Sequence, residues 1–176
     1  MILIVDMNGK KDSLSFDEFV LPVVKLLDKP YTITHYSEIK GVDEYSHVIL
    51  CGTPVQYNQF VEDIQLFTWM KTYNLPLLGI CAGMQALGLI HGSFLIPCRE
   101  FGMISVRTVA ANPLFEGEYN AYSVHGNAIN PSPWLEVLAV SHGCIQAIKH
   151  KEKTHYGVLF HPEVRTPDII RRFLAL

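Results

Sequence analysis

Leu77-Leu78-Gly79-Ile80-Cys81-Ala82-Gly83-Met84-Gln85 is the stretch on which the reading of this chain turns. Residues 77–80 form a short apolar run of the kind found in buried strands, and residues 82–90 have helical character. Cys81 sits where the strand becomes the helix, with Gly79 and Gly83 two residues to either side. This is the spacing of the G-x-S-x-G nucleophile elbow with Cys in place of Ser. A sharp strand-to-helix turn lifts the side chain out of the sheet. It also brings neighbouring backbone close, so small residues are needed on both sides. The helix after Cys81 points its positive end at the sulfur and favours the thiolate. The N–H of Ala82 lies in the first turn, where it can stabilise an oxyanion. A cysteine ending a core strand can also be purely structural, so the elbow needs a partner.

His161-Pro162-Glu163 supplies one, just after the strand-like residues 156–160. Pro162 biases His161 to an extended backbone. Residues two apart in extended chain share a face. Glu163 can therefore hydrogen-bond one nitrogen of the His161 ring and fix its tautomer, leaving the other nitrogen to move a proton. Thiol, imidazole and carboxylate together are the set used for acyl transfer.

Outward from these two points, the first half alternates. Residues 2–5, 31–36, 47–50 and 77–80 read as strands. Residues 15–27 and 60–73 read as helices, the first with Pro22 kinking it or moving its start. Strand–helix alternation predicts a parallel sheet with helices on both faces. The second half reads as short antiparallel strands at 103–109, 119–124, 135–140, 145–148 and 156–160, closed by a helix at 168–174. The expected class is α/β, mostly parallel and flavodoxin-like, with one domain over residues 1–176.

The chain of 176 residues is long enough to bury a core, hiding about 70% of the unfolded surface. Fourteen Lys and Arg against 17 Asp and Glu leave a net charge of −3, which argues against a nucleic-acid binder. No run approaches the roughly 18 apolar residues of a membrane span. Cys51, Cys81, Cys98 and Cys144 are far apart, with no C-x-x-C pair. The expectation is therefore reduced thiols, no disulfide scaffold and a cytoplasmic location. His35, His47, His91, His142, His150 and His155 are scattered and read as surface or structural residues. His125, followed by Gly126 and Asn127, reads as lying in a tight turn by the site.

At this point the chain resembles a family. Residues 79–85 and Phe160-His161-Pro162-Glu163-Val164 are similar to the class I (triad) glutamine amidotransferases, over nearly the whole length. Arg99-Glu100-Phe101-Gly102, Ser123-Val124-His125-Gly126 and Tyr156-Gly157-Val158 fall where the separate glutaminase subunits of archaeal-type GMP synthases have comparable segments. The resemblance implies that Cys81, His161 and Glu163 hydrolyse glutamine through a γ-glutamyl thioester. It places the N–H groups of Thr53 and Ala82 in an oxyanion hole, and Gly52, Gln85, Gly102, Met103, Ile104 and His125 around the substrate. It implies no metal or organic cofactor for the hydrolysis. The chain has no G-x-x-x-x-G-K-[ST] loop, so the ammonia acceptor's chemistry is expected on a separate ATP-dependent synthetase. Three positions depart from the pattern: Thr53 where Gly is usual, Asn127 where Asp is frequent, and Leu159 where Gln is common. A stand-alone hydrolase of γ-glutamyl compounds and a silent regulatory homologue are the alternatives on the same fold.

Overall fold

A computed structural model describes every residue except 12. Its strands are β1 (Ile2–Asp6), β2 (Tyr31–His35), β3 (His47–Leu50), β4 (Leu77–Ile80), β5 (Phe94–Thr108), β6 (Glu118–Asn130), β7 (Leu135–Val140), β8 (Ile145–His150) and β9 (His155–Val158). Helices are α1 (Ser15–Phe19), α2 (Leu21–Val24), α3 (Gln59–Glu62), α4 (Ala82–Ile90), α5 (Pro162–Arg165) and α6 (Asp168–Phe173). One sheet runs β2-β1-β3-β4-β9-β8-β7-β5-β6. It is parallel from β2 to β9 and antiparallel from there on.

The alternation within β1 shows how the layers arise. Ile2 and Ile4 pack with Val23, Ile49, Leu78, Phe160 and Phe173 on one face. Leu3 and Val5 pack with Phe60, Phe67, Met70, Met84 and Leu87 on the other. A strand apolar from Ile2 to Val5 has both faces to bury, and helices cover both. Among the described residues no helix is long and apolar enough to cross a membrane.

Several expectations are refined. The 15–27 segment is two short helices, with Pro22 in the first turn of α2, where a missing N–H costs nothing. The 60–73 segment is α3 followed by a 3-10 helix at Ile64–Lys71. Its buried residues Phe67, Met70 and Tyr73 recur every third position, which is the 3-10 repeat. The runs 103–109 and 119–124 belong to one long hairpin, β5–β6, with a bulge between Pro97 and Glu100. This hairpin pairs with β7 through two registers, Arg107 with Val140 and Thr108 with Ala139, and just beyond them the Val109 and Ala110 N–H groups donate to Leu138 O.

Two expectations are corrected. Cys98 and Cys144 are joined by a disulfide tying the β5 bulge to the β7–β8 connection, where reduced thiols were expected. The two are 46 residues apart, and only the antiparallel packing of β5 and β7–β8 brings them together. His125 lies within β6, paired with Glu100, and not in a turn. The scattered His91, His150 and His155 are neighbours, with ring centroids 4.4 Å and 6.3 Å apart along the series.

Candidate active site

The strand-to-helix junction is built as its glycines suggest. Cys81 has φ 48° and ψ −102°, the one positive φ at a non-glycine among the described residues. Such a backbone costs roughly 1–3 kcal/mol and persists only where its surroundings over-determine it. Here the Cys81 N–H donates to Val158 O at 2.8 Å, and Cys81 O accepts from the Gln85 N–H at 3.0 Å. A Cβ on Gly79 would run into the Gly83 backbone, and one on Gly83 would meet Leu50 O. The turn fits against β3 and β4 only without side chains there.

His161 is extended, at φ −104° and ψ 90°, as the following proline requires. Its N–H donates to Tyr122 O of β6 at 2.8 Å. Its Nδ1 is 2.7 Å from Glu163 Oε1, with side-chain exposures of only 2% and 1%. Nε2 is buried with no oxygen or nitrogen partner, and the Cys81 thiol lies beside the ring. Burial works against charge on His161, but the Glu163 carboxylate and Cys81 outweigh it. The imidazolium is held well above the ordinary histidine range. Cys51, the other free cysteine, is a useful contrast. Burial, with Glu163 and Asp6 adding, pushes its thiol well up, so it stays protonated and inert.

Cys81 opens into a cavity of about 280 Å³, counting its mouth, walled by Thr53, Ala82, Gln85, Val124, His125 and Asn127 among others. The Cys81 sulfur is 3.7 Å from Val124 O. Gln85 Nε2 donates to Asn127 O at 2.8 Å, so Asn127 contributes its backbone to this contact. Thr53 does not have a positive φ. Its hydroxyl donates to Asn8 Oδ1 at 3.2 Å, and the residue lines the cavity. Gly52 passes against the His161 ring.

Other expected residues are placed differently. Gly102, Met103 and Ile104 lie on β5, paired with Ser123, Tyr122 and Ala121, and are not walls of the cavity. Met103 is 53% exposed. His125 borders the cavity, but its ring nitrogens face Cys98 O and Glu100. The carbonyls of Tyr122 and Val124, which hold His161 and approach Cys81, escaped notice in the sequence. A backbone carbonyl has no residue-type signature by which it could have been found.

Comparison with known proteins gives the family. The family model for class-I glutamine amidotransferases matches residues 12–174. A relative from Methanococcus maripaludis, named as a glutamine-hydrolyzing GMP synthase subunit, is 37% identical over 153 residues, covering 80% of this chain and 78% of its own. The protein of that name from Methanocaldococcus jannaschii is 35% identical over 139 residues, covering 74% and 71%. In solved structures, a putative GMP synthase subunit from Thermoplasma acidophilum superposes with a TM-score of 0.80 at 24% identity, over 99% of this chain and 93% of that one.

Proposed function

Because this chain belongs to the class I glutamine amidotransferase family, we propose that it hydrolyses glutamine at Cys81 and passes the ammonia to a separate ATP-dependent synthetase. The observation that carries this reading is the buried His161–Glu163 pair at 2.7 Å with the Cys81 thiol beside it on a strained elbow. The attacking species is the Cys81 thiolate, its proton having passed to His161. The thiolate attacks the side-chain amide carbon of glutamine, and the N–H groups of Thr53 and Ala82 receive the oxyanion. His161 gives its proton to the departing nitrogen, releasing ammonia and a γ-glutamyl thioester. Neutral His161 then takes a proton from water, whose oxygen attacks the thioester. Glutamate leaves, and the thiolate–imidazolium pair is restored. Gln85, fixed by Asn127 O, lies at the wall where the substrate's polar end would be held.

The likeness to chains named as GMP synthase subunits supports GMP synthesis as the pathway served. Free ammonia is mostly protonated at neutral pH, so delivery requires the synthetase to dock near the Cys81 cavity.

Incubating the chain with an electrophilic glutamine analogue, with and without a candidate synthetase, tests the reading. We expect a single adduct on Cys81, blocked by excess glutamine. Cys81→Ala should abolish both adduct and hydrolysis while the circular dichroism stays native. Undiminished glutamine hydrolysis in that variant would overturn the assignment. Fast turnover of γ-glutamyl amines with no turnover of glutamine would transfer it to a stand-alone hydrolase.

A further inference from the structure

Behind the cavity wall, donors suited to a soft divalent cation converge from three parts of the fold. The Glu100 carboxylate of β5, the His125 ring of β6 and the Cys144 sulfur of the β7–β8 connection lie within 4.8 Å of one another. Cys98, at the β5 bulge, is bonded to Cys144. His125 is 1% exposed and Cys144 4%.

The hydrogen bonds here leave a conflict. His125 Nδ1 is 2.9 Å from the Cys98 carbonyl. A carbonyl can only accept, so Nδ1 carries a proton. In the neutral ring Nε2 then presents a lone pair, and it faces Glu100 Oε2 at 3.3 Å and Gln146 Nε2 at 3.5 Å, whose two hydrogens are shared among this nitrogen, Glu100 and Ser141 Oγ. That carboxylate already accepts from Ser141 Oγ at 2.7 Å and from Gln146 Nε2. Gln146, fully buried, has its Oε1 without a partner. Facing lone pairs repel unless a proton or a cation lies between them. A metal-bound histidine usually donates its other N–H to a carbonyl, and a ligating carboxylate is itself held by hydrogen bonds. Both supports are in place.

We propose that Cys98, Cys144, His125 and Glu100 form a tetrahedral zinc(II) site in the reduced protein, closed when the two sulfurs join as the disulfide. Two thiolates, an imidazole and a carboxylate are a donor set that suits zinc. A dithiol reductant opens the site by thiol–disulfide exchange. It leaves as its own disulfide, and Cys98 and Cys144 gain two electrons and two protons. Zinc then binds the two sulfurs and displaces both thiol protons to solvent. The ion ties β5, β6 and the β7–β8 connection together behind the substrate cavity, independently of what the cavity hydrolyses.

Cobalt(II) is the probe. The full chain is reduced with a dithiol, desalted without oxygen and titrated with cobalt. One cobalt per chain is expected, with thiolate-to-cobalt charge-transfer absorption and the strong visible bands of tetrahedral coordination, displaced by zinc. Charge transfer should persist in Cys81→Ala and fall at least tenfold in Cys144→Ser. Glu100→Gln should weaken binding tenfold or more. Oxidised wild-type protein should bind none, a comparison that stands even if a cysteine variant fails to fold. A folded, reduced chain that takes up no cobalt would overturn the proposal and leave a proton between His125 and Glu100. Bands that survive Cys144→Ser would overturn it too.

Discussion

Charge on His161 survives 2% exposure because Glu163 shares its burial. Burial alone would strip the proton; the carboxylate and the sulfur keep it there to higher pH than an ordinary histidine. The proton is lost as pH rises through that raised pKa, so kcat/KM should fall on the alkaline side. Glu163→Gln removes the largest favourable cause. Its alkaline limb should move to lower pH, and kcat should drop by ~10²–10⁴-fold with KM changing less. An unshifted limb in the pH–rate profile would count against Glu163 as the positioning residue. Cys81, His161 and Glu163 were legible because the chemistry is short-range in sequence: a glycine-flanked turn and an i, i+2 pair. His125 was not, because its place in a strand depends on pairing with Glu100, 25 residues away.

Between strand β4 and helix α4, the elbow has no room to spare. Gly83→Ala puts a methyl group against Leu50 O and the Leu50 side chain. Overpacking of this kind costs typically ~1–3 kcal/mol. Denaturant unfolding should show that loss, and labelling of Cys81 by the glutamine analogue should slow with it. Full stability with unimpaired labelling would mean that the junction relaxes more readily than its packing suggests. Elements with one strong period were legible: β1, β3, β4 and α4 appear where apolar runs and helical spacing placed them. The 60–73 segment misled because 3-10 and α repeats differ by little over so few residues. The β5–β6 hairpin was seen in fragments. Its exposed face carries Phe101 and Met103, so polarity does not alternate cleanly with burial.

Across the whole molecule, the elbow end and the opposite end of the sheet respond to pH differently. His91, His150 and His155 cluster where β4 and β9 begin, away from Cys81. Burial, with His150, Lys153 and Lys71 adding, pushes His91 down to about 4. Burial, with Lys153 and its fellow histidines adding, pushes His155 down to about 3. The unfolded chain takes up these protons near pH 6.5, whereas the fold refuses them until far lower. Their contribution to stability is thus complete above pH 6.5 and is lost as pH falls toward 4 and below. The melting temperature should decline through that window, and His155→Phe, stacked on Tyr73, should flatten the decline. An unchanged slope in thermal melts would show that the cluster is not its source. The two-pair junction of β5 with β7 has a consequence of another kind. The Tyr122 carbonyl that holds His161 and the Val124 carbonyl at the cavity belong to a hairpin joined to the rest of the fold by that narrow seam, the disulfide, the His161 N–H, the Gln85–Asn127 bond and the bonds of Ser141 and Gln146 to Glu100. Any opening of the hairpin at that seam would share an equilibrium with filling of the cavity. A ligand touching both sides binds with its intrinsic affinity scaled by the fraction already seated. By the same linkage it must protect the seam. Amide exchange at Val109, whose N–H donates to Leu138 O across the seam, and at His161 should slow when glutamine occupies the Cys81→Ala protein, and equal exchange with and without glutamine would uncouple the two.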